Sequence, residues 1–182
     1  MNSALKRYSG IVIFSLLSAC AGTLPQRDRC VGDITATPDG LAETTDQALL
    51  AAAIGAPTKG ALCKGKVFVV EKEVTVYRVW DAGKSYSRYG SWWSLALPTG
   101  PRDAYQLNNA ICPEWSALDT MSACTVKIGS KIVVGPGQSA QCTDALLPSS
   151  AINQVYIPNN SDNHGLLVEN CGAGEAWPVP AR

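Results

Sequence analysis

Lys66-Val67-Phe68-Val69-Val70 and, after three polar residues, Val74-Thr75-Val76-Tyr77-Arg78-Val79-Trp80 are the stretches that decide the fold. Both are dense in β-branched and aromatic side chains, which suit a pleated, half-buried surface, so each reads as a strand. Residues 125–128 and 131–134 read the same way on either side of Gly129-Ser130, a hairpin-like turn or a bulge. Trp92-Trp93-Ser94-Leu95 adds a short strand, and Gln154-Val155-Tyr156-Ile157 a last one, ended by Pro158. Helices are expected over 44–54, with Thr44 and Gln47 as a capping box, over 104–111 behind Asp103, and over 114–121 with Pro113 in the first turn. The tail, rich in Gly and Pro, reads as irregular. Strands and short helices do not alternate as βαβ units, so the expected class is α+β with a mainly antiparallel sheet.

The chain around these strands has 182 residues, 46% of them hydrophobic, enough for one domain and too many for wholesale disorder. Basic and acidic residues balance at 15 each, with no Lys/Arg run to follow a phosphate backbone, so a nucleic-acid partner is not expected. One histidine, His164, excludes chemistry that needs two imidazole ligands. A serine hydrolase has little support: His164 and Asp162 stand near the tail, and no Gly-x-Ser-x-Gly elbow exists.

Lys6 and Arg7 precede a short apolar run from Ile11 to Leu17, too short for a membrane span of about 20 residues and typical of a secretory signal. The run ends in Leu17-Ser18-Ala19-Cys20, which resembles the lipobox of bacterial lipoproteins. The resemblance implies that residues 1–19 are a signal peptide, that Cys20 becomes an acylated (palmitate-type) N-terminus, and that the membrane is a partner. That family carries Asp after the cysteine for inner-membrane retention; Ala21 stands here, which implies the outer membrane of the cell envelope. A plain signal peptide cut near Ala21 is the alternative. Without residues 1–19 the chain keeps 13 basic against 15 acidic residues, a net charge of −2, so adhesion would rest on acyl chains rather than charge. Residues 20–43 read as a tether and 44–182 as a single globular domain.

Cys30, Cys63, Cys112, Cys124, Cys142 and Cys171 remain, an even number in an exported chain, so a disulfide-stapled body is expected. The pairing expected is Cys30–Cys63, Cys112–Cys124 and Cys142–Cys171. No Cys-x-x-Cys pair exists and the one His lacks a nearby partner, so a metal site is not expected, and because every Cys has a plausible partner neither is a free thiol nucleophile.

Four features could carry chemistry. Arg78 shares a strand face with Val74 and Val76, and a guanidinium there needs a partner: a ligand phosphate or carboxylate, or Glu71, Glu73 or Asp81. Trp92 and Trp93 point to opposite faces if they are on a strand, so one can line a groove while the other packs inside; both packing is the alternative. Gly135-Pro136-Gly137 lets a backbone approach a ligand, or simply turns the chain toward Cys142. Gln154 can bind a ribose hydroxyl or orient a water, or sit on the surface.

In order and spacing, Val76-Tyr77-Arg78-Val79, Gly90-Ser91-Trp92-Trp93-Ser94, Val126-Lys127-Ile128-Gly129-Ser130 and Asn153-Gln154-Val155-Tyr156-Ile157 resemble the ADP-ribosyltransferase-like domains of bacterial polymorphic toxins. The likeness covers roughly residues 74–158. It implies a split β-sheet around a cleft that takes NAD as substrate, with no resident cofactor. Arg78 would hold a phosphate or ribose, Ser94 support the nicotinamide ribose, Trp92 or Trp93 stack the nicotinamide, and Gln154 take the late catalytic position. Many relatives carry Glu there. Gln can neither act as a base nor carry charge, which shifts the expectation toward NAD hydrolysis or binding without catalysis. Ser149-Ser150-Ala151-Ile152 replaces the relatives' glycine-rich stretch. A lipid anchor also suits a toxin poorly. The alternative expectation is a non-catalytic envelope lipoprotein that binds a protein or glycan through exposed aromatics in 80–93.

Overall fold

The computed structural model describes residues 29–160 and 165–178. The lipobox with Cys20, and the pair Asp162 and His164, lie outside the described residues. In chain order the elements are β1 (Leu41–Thr44), α1 (Gln47–Ala53), β2 (Lys66–Val70), β3 (Val74–Trp80), a 3-10 turn (Ser85–Tyr89), β4 (Trp92–Trp93), α2 (Arg102–Asn109), β5 (Thr120–Val126), β6 (Lys131–Pro136), β7 (Ala140–Gln141), β8 (Leu146–Leu147), β9 (Asn153–Tyr156), β10 (Val168–Glu169) and β11 (Glu175–Ala176).

The class is α+β, with antiparallel strands throughout and two α-helices among the described residues. One sheet runs β1-β2-β6-β9-β4. In the other, β5 pairs with β3 and, by its two ends, with β10 and β11. Two of the crossings between the sheets, at 71–73 and at 127–130, lie side by side. The crossings are laced together: Val70 N–H donates to Ser130 O at 3.0 Å and Gly129 N–H to Val70 O at 2.8 Å. Gly129-Ser130 is therefore a crossover, and β5 and β6 do not pair as a hairpin. At the far side the sheets meet again, where Tyr77 and Ser94 exchange backbone hydrogen bonds at 2.8 Å in both directions.

Alternation explains why the layers close. Phe68 and Val70 from β2, Val74 and Val76 from β3, Cys124 and Val126 from β5, and Ile132 and Val134 from β6 all reach one core, with Trp93 and Val155. Burying Phe68 alone contributes about 1.5–3 kcal/mol by the transfer scale. Ile34 and Leu41 join this core, and β1 pairs with β2. The described part of the stretch read as a tether thus packs into the domain instead of holding it away.

Local physics corrects the helices. Thr44 ends β1, and the cap of α1 is Asp46, whose carboxylate accepts from Leu49 N–H at 3.1 Å. Helix α2 starts at Arg102, ahead of Asp103, and ends where Ala110 takes a left-handed conformation. The helix expected over 114–121 does not form. Leu118 has φ 48°, Asp119 N–H is taken by Trp80 O, and Thr120 already belongs to β5. The tail is not wholly irregular, since β10 and β11 complete the second sheet.

Three disulfides staple the body: Cys30–Cys63, Cys112–Cys142 and Cys124–Cys171. The first follows the expected pairing and the other two do not. Cys124 lies inside β5 facing the core, where the chain after β10 brings Cys171; Cys112 follows α2 and meets the β7–β8 hairpin.

Candidate functional site

Arg78 leaves β3 where the two sheets join, and its guanidinium is largely buried. Nε donates to Ser87 O at 2.7 Å and Nη1 to Trp92 O. The cation lies 6.0 Å from the Trp93 ring centroid, within cation–π range. Gly90 is needed beside it, because a Cβ there would collide with the guanidinium. No carboxylate pairs with Arg78 among the described residues; Asp81 pairs with Lys84 instead, at 3.3 Å. Burial pulls the Arg78 pKa down to about 10, so it stays charged at neutral pH. Burial pushes the nearby Tyr105 phenol up to about 12, with Arg78 pulling the other way.

This charge borders a cleft of about 300 Å³. Trp92 and Gln154 share its lining with Arg78, and a small annex beside it adds Trp93 and Tyr105. Trp93 is buried, with its indole N–H on Gly90 O at 2.7 Å, while Trp92 is half-buried against Tyr156 with ring centroids 5.0 Å apart. Gln154 is buried too, and Nε2 donates to Asn109 O at 3.0 Å. Gly137 lines up behind it: a Cβ there would lie 2.6 Å from Gln154 Nε2. Ser94 is not brought into the cleft. Its hydroxyl donates to Ala96 O at 2.7 Å, and its backbone forms the junction with Tyr77.

The remaining wall was not singled out from sequence. It includes Asn109 at the end of α2, then Ile111, Trp115 and Ser116, together with Lys59 and Ala61. The Cys112–Cys142 bond joins these two sides, since Gln141 N–H donates to Thr58 O at 2.8 Å. Only the true disulfide pairing would have revealed it. No Asp or Glu lines the cleft.

Cys112, Glu114 and Cys142 place donor atoms within 4.8 Å of one another, but the two sulfurs are bonded together and Glu114 accepts from Thr143 N–H and Oγ1. Of the aromatics in 80–93, Trp80 and Trp93 are buried, and Tyr86 stands out at 73% exposure. No described helix is long and apolar enough to cross a membrane. No family model, curated protein or solved structure matches the chain.

Proposed function

We propose that the chain is a cell-envelope lipoprotein, anchored through an acylated Cys20 in the outer membrane, whose domain binds the nicotinamide-nucleotide part of NAD in the Arg78 cleft. The observation that carries the reading is a buried guanidinium without a carboxylate partner, beside a cleft with a tryptophan and a buried glutamine. Two carbonyls and a ring face leave this cation without a counter-charge, and a phosphate supplies it through the remaining Nη donors. Trp92 offers a face to a flat ring, and Gln154 a carbonyl to a ribose hydroxyl.

Binding without turnover fits this lining best. Gln154 cannot serve as a base, and no carboxylate in the cleft replaces it. Stabilising an oxocarbenium-like species needs negative charge near the ribose, and two lining residues, Arg78 and Lys59, bring positive charge instead. Docking of a protein or glycan through the 80–93 aromatics has only Tyr86 to support it, and one exposed ring is a small anchor.

Calorimetry on the detergent-solubilised, oxidised full-length protein tests the cleft: NAD is expected to bind, and Arg78→Gln to abolish binding. Absence of binding at millimolar NAD sinks the reading. The anchor is tested separately, by labelled-palmitate incorporation that disappears in Cys20→Ala.

A further inference from the structure

We infer that Lys59 and Trp115 form the outer half of this site and make it selective for a pyrophosphate-bearing dinucleotide over a mononucleotide. The inference rests on the Arg78 cleft being the binding site.

Lys59 is exposed, and no ion pair is seen for it among the described residues. Its backbone is nevertheless fixed. Its N–H donates to Ala56 O at 3.1 Å, Thr58 N–H to Ser139 Oγ at 3.0 Å, and Gly60 N–H to Ser139 O at 2.8 Å. A cation on a flexible side chain, rooted in a held backbone at the rim and without a seen counter-charge, can reach a ligand in the cleft.

Trp115 packs beside it. Its indole is 47% exposed although it closes against Gly60, where a Cβ would come within 3.3 Å of the ring. Trp115 N–H donates to Cys112 O at 3.0 Å, and Cys112 is bonded to Cys142, so the rim is braced covalently. A held, half-exposed indole offers area at small entropic cost.

The charge pattern then decides the ligand class. The lining carries two cations, one inside and one at the rim, and no anion. A single phosphate on Arg78 leaves Lys59 unused. Two phosphates joined by one bridging oxygen supply a second negative group toward the mouth, under Trp115. Total charge does not separate the ligands, since a terminal phosphate carries nearly as much as a pyrophosphate; spacing does, because only the pyrophosphate spreads its charge over two groups that can meet both cations.

The test compares NAD, ADP-ribose, nicotinamide mononucleotide and nicotinamide riboside on the full-length protein by calorimetry. NAD and ADP-ribose are expected to bind roughly tenfold or more tightly than the mononucleotide, the size of one charge-assisted hydrogen bond. Lys59→Ala is expected to remove that advantage, weakening NAD and ADP-ribose several-fold more than the mononucleotide. Its exposed side chain makes folding a minor concern, checked by near-ultraviolet circular dichroism. NAD is expected to change the tryptophan emission of the wild type more than the mononucleotide does, and Trp115→Phe to lose that difference. Equal affinity for NAD and mononucleotide, or Lys59→Ala weakening both alike, overturns the inference while leaving the cleft reading intact. No binding of any ligand by the wild type overturns both.

Discussion

Gln154 donates its side-chain amide to the backbone carbonyl of Asn109, 45 positions away, and so ties the central part of the first sheet to the end of α2. The amide that the sequence suggested for chemistry is therefore engaged in structure, and its carbonyl oxygen is the part left for a ligand.

Gln154→Leu keeps the volume and removes the donor, leaving the Asn109 carbonyl without that partner. The expected cost is about 1–3 kcal/mol, read by urea unfolding. Gly137→Ala acts on the same amide from behind, through the 2.6 Å approach to Nε2. The double variant is expected to lose less than the sum of the two singles, because both disrupt one arrangement. Full additivity would show that the Gly137 contact does not position Gln154.

Alkaline pH separates Tyr105 from Arg78. The Tyr105 phenol is raised to about 12 in the folded protein, from an ordinary value of 10.0, chiefly by burial. The unfolded chain therefore releases that proton first as pH rises. Tyr105 contributes stability that is whole below pH 10 and lost as pH climbs toward 12. Arg78 opposes it. Burial pulls its folded pKa down to about 10, below that of the unfolded chain, so above pH 10 the unfolded state holds more protons and stability rises with pH. The wild type alone reports the sum. Subtracting the curve of Tyr105→Phe isolates the phenol, and that difference is expected to decline between pH 10 and 12. A flat difference would mean that the ring is solvated.

What could be read from sequence follows from where the information lies. β2, β3 and the first four residues of β6 announce themselves by their valines and isoleucines, while Gly135 and Pro136, which look like a turn, extend β6 through pairing with β9. β5 hides its start: Thr120-Met121-Ser122-Ala123 has little β-branching and follows a helical-looking run, and only tertiary pairing with β3 decides it. Arg78 was conspicuous as a cation among valines. Lys59, Asn109 and Trp115 carry no such mark, since they sit outside the strands and reach the cleft through a cross-link that six cysteines leave among 15 possibilities. Ser94 shows the opposite error, a plausible residue in a plausible motif whose hydroxyl is satisfied two residues away.

That cross-link yields the last prediction. Cys112–Cys142 closes a loop across 30 positions, for which chain entropy gives roughly 3–4 kcal/mol of stabilisation. Cys124–Cys171 closes 47 positions, and the logarithmic dependence makes its expected contribution nearly the same. Stability alone therefore cannot tell the two bonds apart, but position does. Cys112 follows the cleft wall at Asn109 and Ile111 and precedes Trp115, whereas Cys124, in β5, and Cys171, in the chain after β10, are not among the lining residues. Replacing Cys112 and Cys142 together by serine is expected to lower stability and also to weaken NAD binding, with faster amide exchange across 109–118. The matching Cys124 and Cys171 pair is expected to lower stability by a similar amount, while cleft affinity holds under conditions where the protein stays folded. Equal loss of affinity in both would mean that the cleft depends on the body as a whole and not on its own brace.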